Sequence, residues 1–213
     1  MRWPASPPCR RRMTSDPVPP GGQEAGIAVL DACILFRGRL TDFLLRLAEA
    51  GLFDPAWSAA IEAEWAGALQ RRRGIPAAAV AARRAALAAA FPGAACEPGV
   101  DLPDAIRARC RSGAQRKDAH VVATALAAGA RWIVTDNTAD FPRRLLAPLG
   151  LQALRPDAFC AALIARDPGR VLAAAAAHRA GLPPGPGAAA RLAERRMSLP
   201  DTARWLAAQP GFA

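Results

Sequence analysis

Residues 27–30, Ile-Ala-Val-Leu, form an uninterrupted apolar run that ends in an acid, Asp31. A run this short, with no polar alternation, suits a strand buried on both faces. The period then changes. In TDFLLRLAEAG, Phe43, Leu44 and Leu47 recur at helical spacing between a Thr41/Asp42 cap and a terminal Gly51, which predicts a helix. LFDPAWS reads as a second short strand or a loop. Ser58 opens a helix to about Arg72 with Ile61, Trp65, Ala68 and Leu69 on one side. Ile75-Pro76 restarts an alanine-rich helix that runs to about Phe91 before the stop at Pro92-Gly93.

Periodicity is weakest over 94–117, where a short helix over 102–110 and a polar loop, RSGAQRK, are expected. DAHVVATALAAGA then predicts a helix opening on Asp118 and closing on Gly129, followed by a strand in RWIVT. A short helix over 143–149, a strand over 151–154 and a helix over 157–165 complete the alternation. Strands separated by helices imply an α/β fold, a mainly parallel sheet covered on both faces. Beyond Pro168 only helical patterns remain, two or three of them broken at GLPPGPG, with Ser198 and Pro200 marking the last. The chain thus divides into a leader over 1–26, an α/β domain over 27–166 and a helical extension over 167–213. The leader is rich in Pro, Gly and Arg, shows no apolar periodicity and reads as disordered. It carries no apolar core of a signal peptide.

Composition narrows the class. The 213 residues are 52% hydrophobic, enough for a well-buried core. The alanine runs are interrupted by Arg or His before they reach the length of a membrane span, so a globular, cytoplasmic protein with no membrane association is expected. Lys and Arg number 28 against 18 Asp and Glu, a net charge of +10 that is almost wholly arginine and suits a polyanionic partner. Cys9, Cys33, Cys96, Cys110 and Cys160 are odd in number and form no CxxC pair, which supports neither a disulfide framework nor a zinc knuckle.

The acids carry the chemistry. In an open parallel sheet, functional groups gather beyond the carboxyl ends of strands, where Asp31 and the group Asp136, Asn137 and Asp140 both fall. Asp118, at the start of the helix before the second of these strands, can reach the same edge. Clustered carboxylates repel unless a cation neutralises them, and hard oxygen donors suit Mg²⁺ or Mn²⁺. Each acid also has a plainer use: Asp118 as a helix cap, Asp136 and Asn137 as turn formers. Asp31 is harder to assign a plain role, because apolar residues flank it on both sides. The implied chemistry is phosphodiester hydrolysis. Thr135 is a strand-end hydroxyl beside the site, His120 reads as a satisfied helix histidine, and Arg37, Arg39, Arg111, Arg116 and Lys117 are candidates to hold phosphates around it.

The blocks VLDACILF, DFLLRLAEAGLFDPAWS and KDAHVVATALAAGARWIVTDNTADFP, in that order, resemble the PIN domain, the fold of VapC-type toxin ribonucleases, over roughly residues 27–166. The resemblance implies an α/β/α sandwich that cleaves single-stranded RNA with Mg²⁺ or Mn²⁺ held by three or four acids. It places family aspartates on Asp31 and Asp118. The family glutamate falls on the helix after Trp57-Ser58, where the helical wheel does not separate Glu62 from Glu64; the family spacing from Ser58 through Ile61 selects Glu64. The fourth position is occupied by Asn137, with Asp136 or Asp140 available to supply the charge. Asp31, Glu64, Asp118 and Asp136 are therefore the expected metal ligands, with Asn137 and Asp140 completing the catalytic set. The resemblance further implies the toxin of a toxin and antitoxin pair, with a cognate antitoxin and a homodimer as partners; the extension resembles the C-terminal helices of a subset of VapC-like proteins. A PIN fold without nuclease activity, serving as an RNA- or partner-binding module, is the alternative. A phosphatase of the haloacid dehalogenase type would need an acid where Cys33 stands.

Overall fold

The computed structural model describes residues 25–181 and 197–212. The expectations for the leader up to residue 24 and for most of GLPPGPG lie outside the described residues. Four strands, β1 (Ile27–Leu30), β2 (Asp54–Ala56), β3 (Trp132–Val134) and β4 (Gln152–Leu154), pair in parallel in the order β2-β1-β3-β4. Val29 lies opposite Ala56 on one side and Ile133 on the other, so β1 is central, and Ala28, Val29 and Leu30 are fully buried. Within LFDPAWS, Asp54–Ala56 form the strand.

The helices are α1 (Ala32–Leu35), α2 (Gly38–Glu49), α3 (Ala59–Arg73), α4 (Ala77–Ala90), α5 (Leu102–Arg107), α6 (Gly113–Lys117), α7 (Ala119–Ala128), α8 (Arg143–Leu146), α9 (Pro156–Arg166), α10 (Pro168–Ala180) and α11 (Pro200–Ala207). The chain leaves β1 in one direction through α2 to β2, and returns through α7 to β3 on the far side of β1. Right-handed crossovers then put α2 and α7 on opposite faces, the α/β/α arrangement that the alternation of strands and helices predicts. The direction of winding reverses between β1 and β3. That reversal opens a crevice beyond the carboxyl ends of these two strands.

Local chemistry explains most boundaries. Ser58 Oγ accepts from Ile61 N at the start of α3, and Gly74 ends it at φ 62°, a left-handed conformation that side chains disfavour. Phe159 of α9 is fully buried, and its ring meets Phe53 at 5.0 Å and Trp132 at 5.6 Å edge to face. α10 lies along α2: Val171, Ala174 and Ala175 are buried, His178 packs its edge on Phe43 at 5.3 Å, and His178 Nδ1 stands 2.9 Å from Asp42.

Three boundary expectations are corrected. α2 starts at Gly38 and not at a Thr41/Asp42 cap, because the buried Thr41 hydroxyl donates to Ile34 O at 2.9 Å and ties the helix to α1. RSGAQRK is not a loop. Ser112 Oγ accepts from Gln115 N while Gln115 Oε1 accepts from Arg111 N, a reciprocal cap that stabilises α6. At α11 the capping comes from Asp157 of α9, which accepts from Asp201 N at 2.8 Å and from Thr202 N and Oγ1 at 2.9 and 2.6 Å. Ser198, expected to mark this helix, precedes it with φ 54°. No helix among the described residues is long and apolar enough to cross a membrane.

Candidate active site

Because Leu30 pairs with Val134, the residues that follow them, Asp31 and Thr135, meet at the crevice. Asp31 is 7% exposed and fully engaged: Oδ1 accepts from Ala32 N at 2.6 Å, while Oδ2 accepts from Thr135 Oγ1 at 2.6 Å and from Cys33 Sγ at 3.2 Å. The Thr135 oxygen in turn accepts from Asn137 N at 3.0 Å. The buried acid that the sequence leaves without a partner is thus held by a hydroxyl 104 positions away.

Asp118, between α6 and α7, makes no capping hydrogen bond with its side chain, so the plain use of an N-terminal aspartate does not apply to it. Burial and the negative charges of Asp31, Asp140 and Glu64 push its carboxyl up to about 6, against an opposing pull from Lys117. Glu62 and Glu64 separate in space. Glu62 reaches Arg84 of α4 at 3.1 Å, whereas Glu64 faces the cleft, with its carboxylate 3.7 Å from His120 Nε2. Asp136 forms an ion pair with Arg37 at 2.8 Å. The Cys33 thiol, wedged beside Asp31 and Thr135, is pushed up to about 12 by burial and by the Asp31 charge, and so stays protonated.

These groups line one cleft of about 1260 Å³ that contains Asp31, Glu64, Asp118, Asp136, Asn137 and Asp140, every acid expected from the sequence together with Asn137. Arg37, Arg39 and Lys117 also line it. Arg111 and Arg116 are exposed outside its lining. Arg71, Arg72, Arg73 and Arg83, none of them expected from the sequence, line it as well; the only signal for the first three is that the arginine run closing α3 lies seven to nine residues after Glu64.

A sequence profile described as PIN domain matches residues 28–139, just over half of the chain. The chain belongs to the PIN domain family. No curated protein and no solved structure matches it. PIN domains are generally nucleases that act on RNA or DNA, and they generally use divalent metal ions. Among the described residues, no three His, Cys, Asp or Glu side chains stand together as a ready-made metal cage. The donor set of this PIN domain nevertheless fits a hard cation in kind: all its charged donors are carboxylates, and Asp118 is raised by neighbours whose repulsion a cation would relieve.

Proposed function

We propose that the protein is a metal-dependent endoribonuclease that hydrolyses phosphodiester bonds in single-stranded RNA, and that it is the toxin of a toxin and antitoxin pair acting in the cytoplasm. The observation that carries this reading is the convergence of Asp31, Glu64, Asp118 and Asp140, from four separate segments of the chain, on one cleft at the switch point of the sheet.

Asp31, Glu64 and Asp118 would hold Mg²⁺ or Mn²⁺. Asp140 is favoured over Asp136 as the fourth acid, because Asp140 acts on Asp118 while Asp136 is paired with Arg37. A divalent cation bound there supplies a water nucleophile near neutral pH and neutralises charge on the phosphoryl oxygens. The chain's own contribution is orientation. Ala32 N and Thr135 Oγ1 fix both oxygens of Asp31, and the Asn137 backbone fixes Thr135 in turn. Arg37 balances Asp136 at the rim, and Lys117 places a cation beside Asp118 within reach of an incoming phosphate.

Purified full-length protein is incubated with total RNA in Mn²⁺ or in chelator, and the cut ends are mapped. Internal cuts that require the metal, and that fall by about 10³-fold in Asp31→Asn and Asp118→Asn, support the reading. Equal cutting in chelator, or full activity in Asp31→Asn, rules it out.

A further inference from the structure

α3 leads from the carboxylates to a cluster of guanidinium groups along a single wall of the cleft. Glu64, Ala68 and Arg71 recur at i, i+4 and i+7, as do Trp65, Leu69 and Arg72 one position on, and all six line the cleft. At 1.5 Å rise per residue, Arg71 stands about 10 Å along the helix axis from Glu64. Arg71, Arg72 and Arg73 are all exposed. Arg73 places its guanidinium 5.3 Å from the ring centroid of Phe36, the half-buried residue that closes α1 and also lines the cleft. Cations in a last turn complement the helix dipole wherever they point. Here they additionally meet an aromatic ring from a different segment at the mouth of the cleft, which dipole compensation does not require.

We propose that Arg71, Arg72 and Arg73, together with Phe36, form a rail that binds the backbone of single-stranded nucleic acid to one side of the phosphate being cut. The proposal rests on the nuclease reading of the same cleft. Guanidinium forks bind phosphate oxygens in a bidentate way, and the Arg73–Phe36 pair offers a stacking surface that an unpaired base can use and a paired one cannot. An acidic protein segment would match the arginines equally in charge but would have no use for the stacking surface. A strand whose scissile phosphate sits beside Glu64 passes Arg71 within its next few nucleotides, because the helix itself spans that interval.

The test measures binding apart from cutting. Anisotropy of a short fluorescent single-stranded RNA is recorded in chelator at several salt concentrations, for full-length wild type, for Arg71→Ala/Arg72→Ala and for Arg143→Ala/Arg144→Ala. The last pair removes the same charge from exposed positions on α8, outside the cleft. The rail variant should bind about tenfold more weakly, with the slope of log K against log salt reduced by roughly 1.4 for two lost phosphate contacts on a single strand, at an unchanged melting temperature. The α8 variant should match wild type within about twofold. The proposal is overturned if the rail variant keeps the wild-type affinity and slope, if the α8 variant loses as much, if wild type binds no RNA, or if the rail variant loses affinity for a polyglutamate peptide and not for RNA. Wild type that binds with this rail signature but never cuts in Mn²⁺ would refute the nuclease reading and leave the rail standing.

Discussion

Thr135 Oγ1 donates to Asp31 Oδ2 at 2.6 Å, inside the sheet edge and shielded from water. Nothing else in the neighbourhood can do this as well, since the Cys33 thiol approaches the same oxygen at 3.2 Å and is a weaker donor. Thr135→Val keeps the side-chain shape and removes the hydroxyl. If Asp31 holds the metal, cleavage should fall by about 10–100-fold, the usual cost of losing a group that orients a metal ligand. Thermal unfolding should show a loss of about 1–3 kcal/mol from an under-satisfied buried carboxylate. Full activity in Thr135→Val would mean that Asp31 needs no such support.

The two glutamates of α3 differ in what they touch, and activity should follow. Glu62→Gln breaks a pairing with the half-exposed Arg84 and should cost no more than about 1 kcal/mol, with cleavage within about twofold of wild type. Glu64→Gln should reduce cleavage by at least about 10²-fold with little change in melting temperature. Single-turnover cleavage of one RNA by the two variants decides between them, and a reversed order would move the site to the other flank of the helix.

Asp118 gives a pH dependence whose sign is fixed by its upward shift to about 6. In the metal-free protein the folded state holds this proton more tightly than the unfolded chain. Stability therefore falls as pH rises from about 4 to about 6, and the penalty is fully present above that window. Asp118→Asn should flatten this fall, so its melting temperature in chelator should equal or exceed that of wild type at about pH 7. Metal competes with the proton, so the Mn²⁺-induced rise in melting temperature of wild type should grow between about pH 5 and pH 7. Calorimetry at both values with and without chelator measures all three, and a variant less stable than wild type in chelator at neutral pH would make Asp118 a structural residue.

Asp157 should affect stability alone. Asp157→Ala removes three hydrogen bonds at the start of α11 and should cost about 1–2 kcal/mol, read as a lower melting temperature. Cleavage at permissive temperature should not change, because Asp157 lies outside the cleft lining. A loss of activity in the folded variant would tie the C-terminal helices to catalysis.

The alternation of apolar runs with helical periods made the sheet legible, since Ala28–Leu30 and Trp132–Val134 are buried and neither strand carries a polar residue to mislead. Asp31, Asp118 and the Asp136 to Asp140 group were legible as a set of cleft residues because parallel topology sends strand ends to one edge. What failed was set by tertiary partners. Thr41 looks like a cap until Ile34 O claims its hydroxyl, and Ser198 looks like one until Asp157 arrives from α9. The different surroundings of Glu62 and Glu64 were not in the helical wheel at all, because they depend on α4 lying where Arg84 can reach. α6 is different: its Ser-x-x-Gln signature was present in the sequence at Ser112 and Gln115 and was outweighed by the polar composition around it.

The pairing of Leu30 with Val134 also has a meaning for the chain while it is being made. Asp31 leaves the ribosome before its supporting hydroxyl and the acids around Asp136, which follow only after more than a hundred further residues. Non-local pairing of this kind forms late, since the loop between the strands must close before the contact rewards it. A nascent or prematurely terminated polypeptide that stops short of β3 therefore lacks Asp136, Asn137 and Asp140, and leaves only Ala32 N and Cys33 Sγ to hold the Asp31 carboxylate. If the protein attacks RNA through this cleft, the site is complete only once β3 has paired with β1.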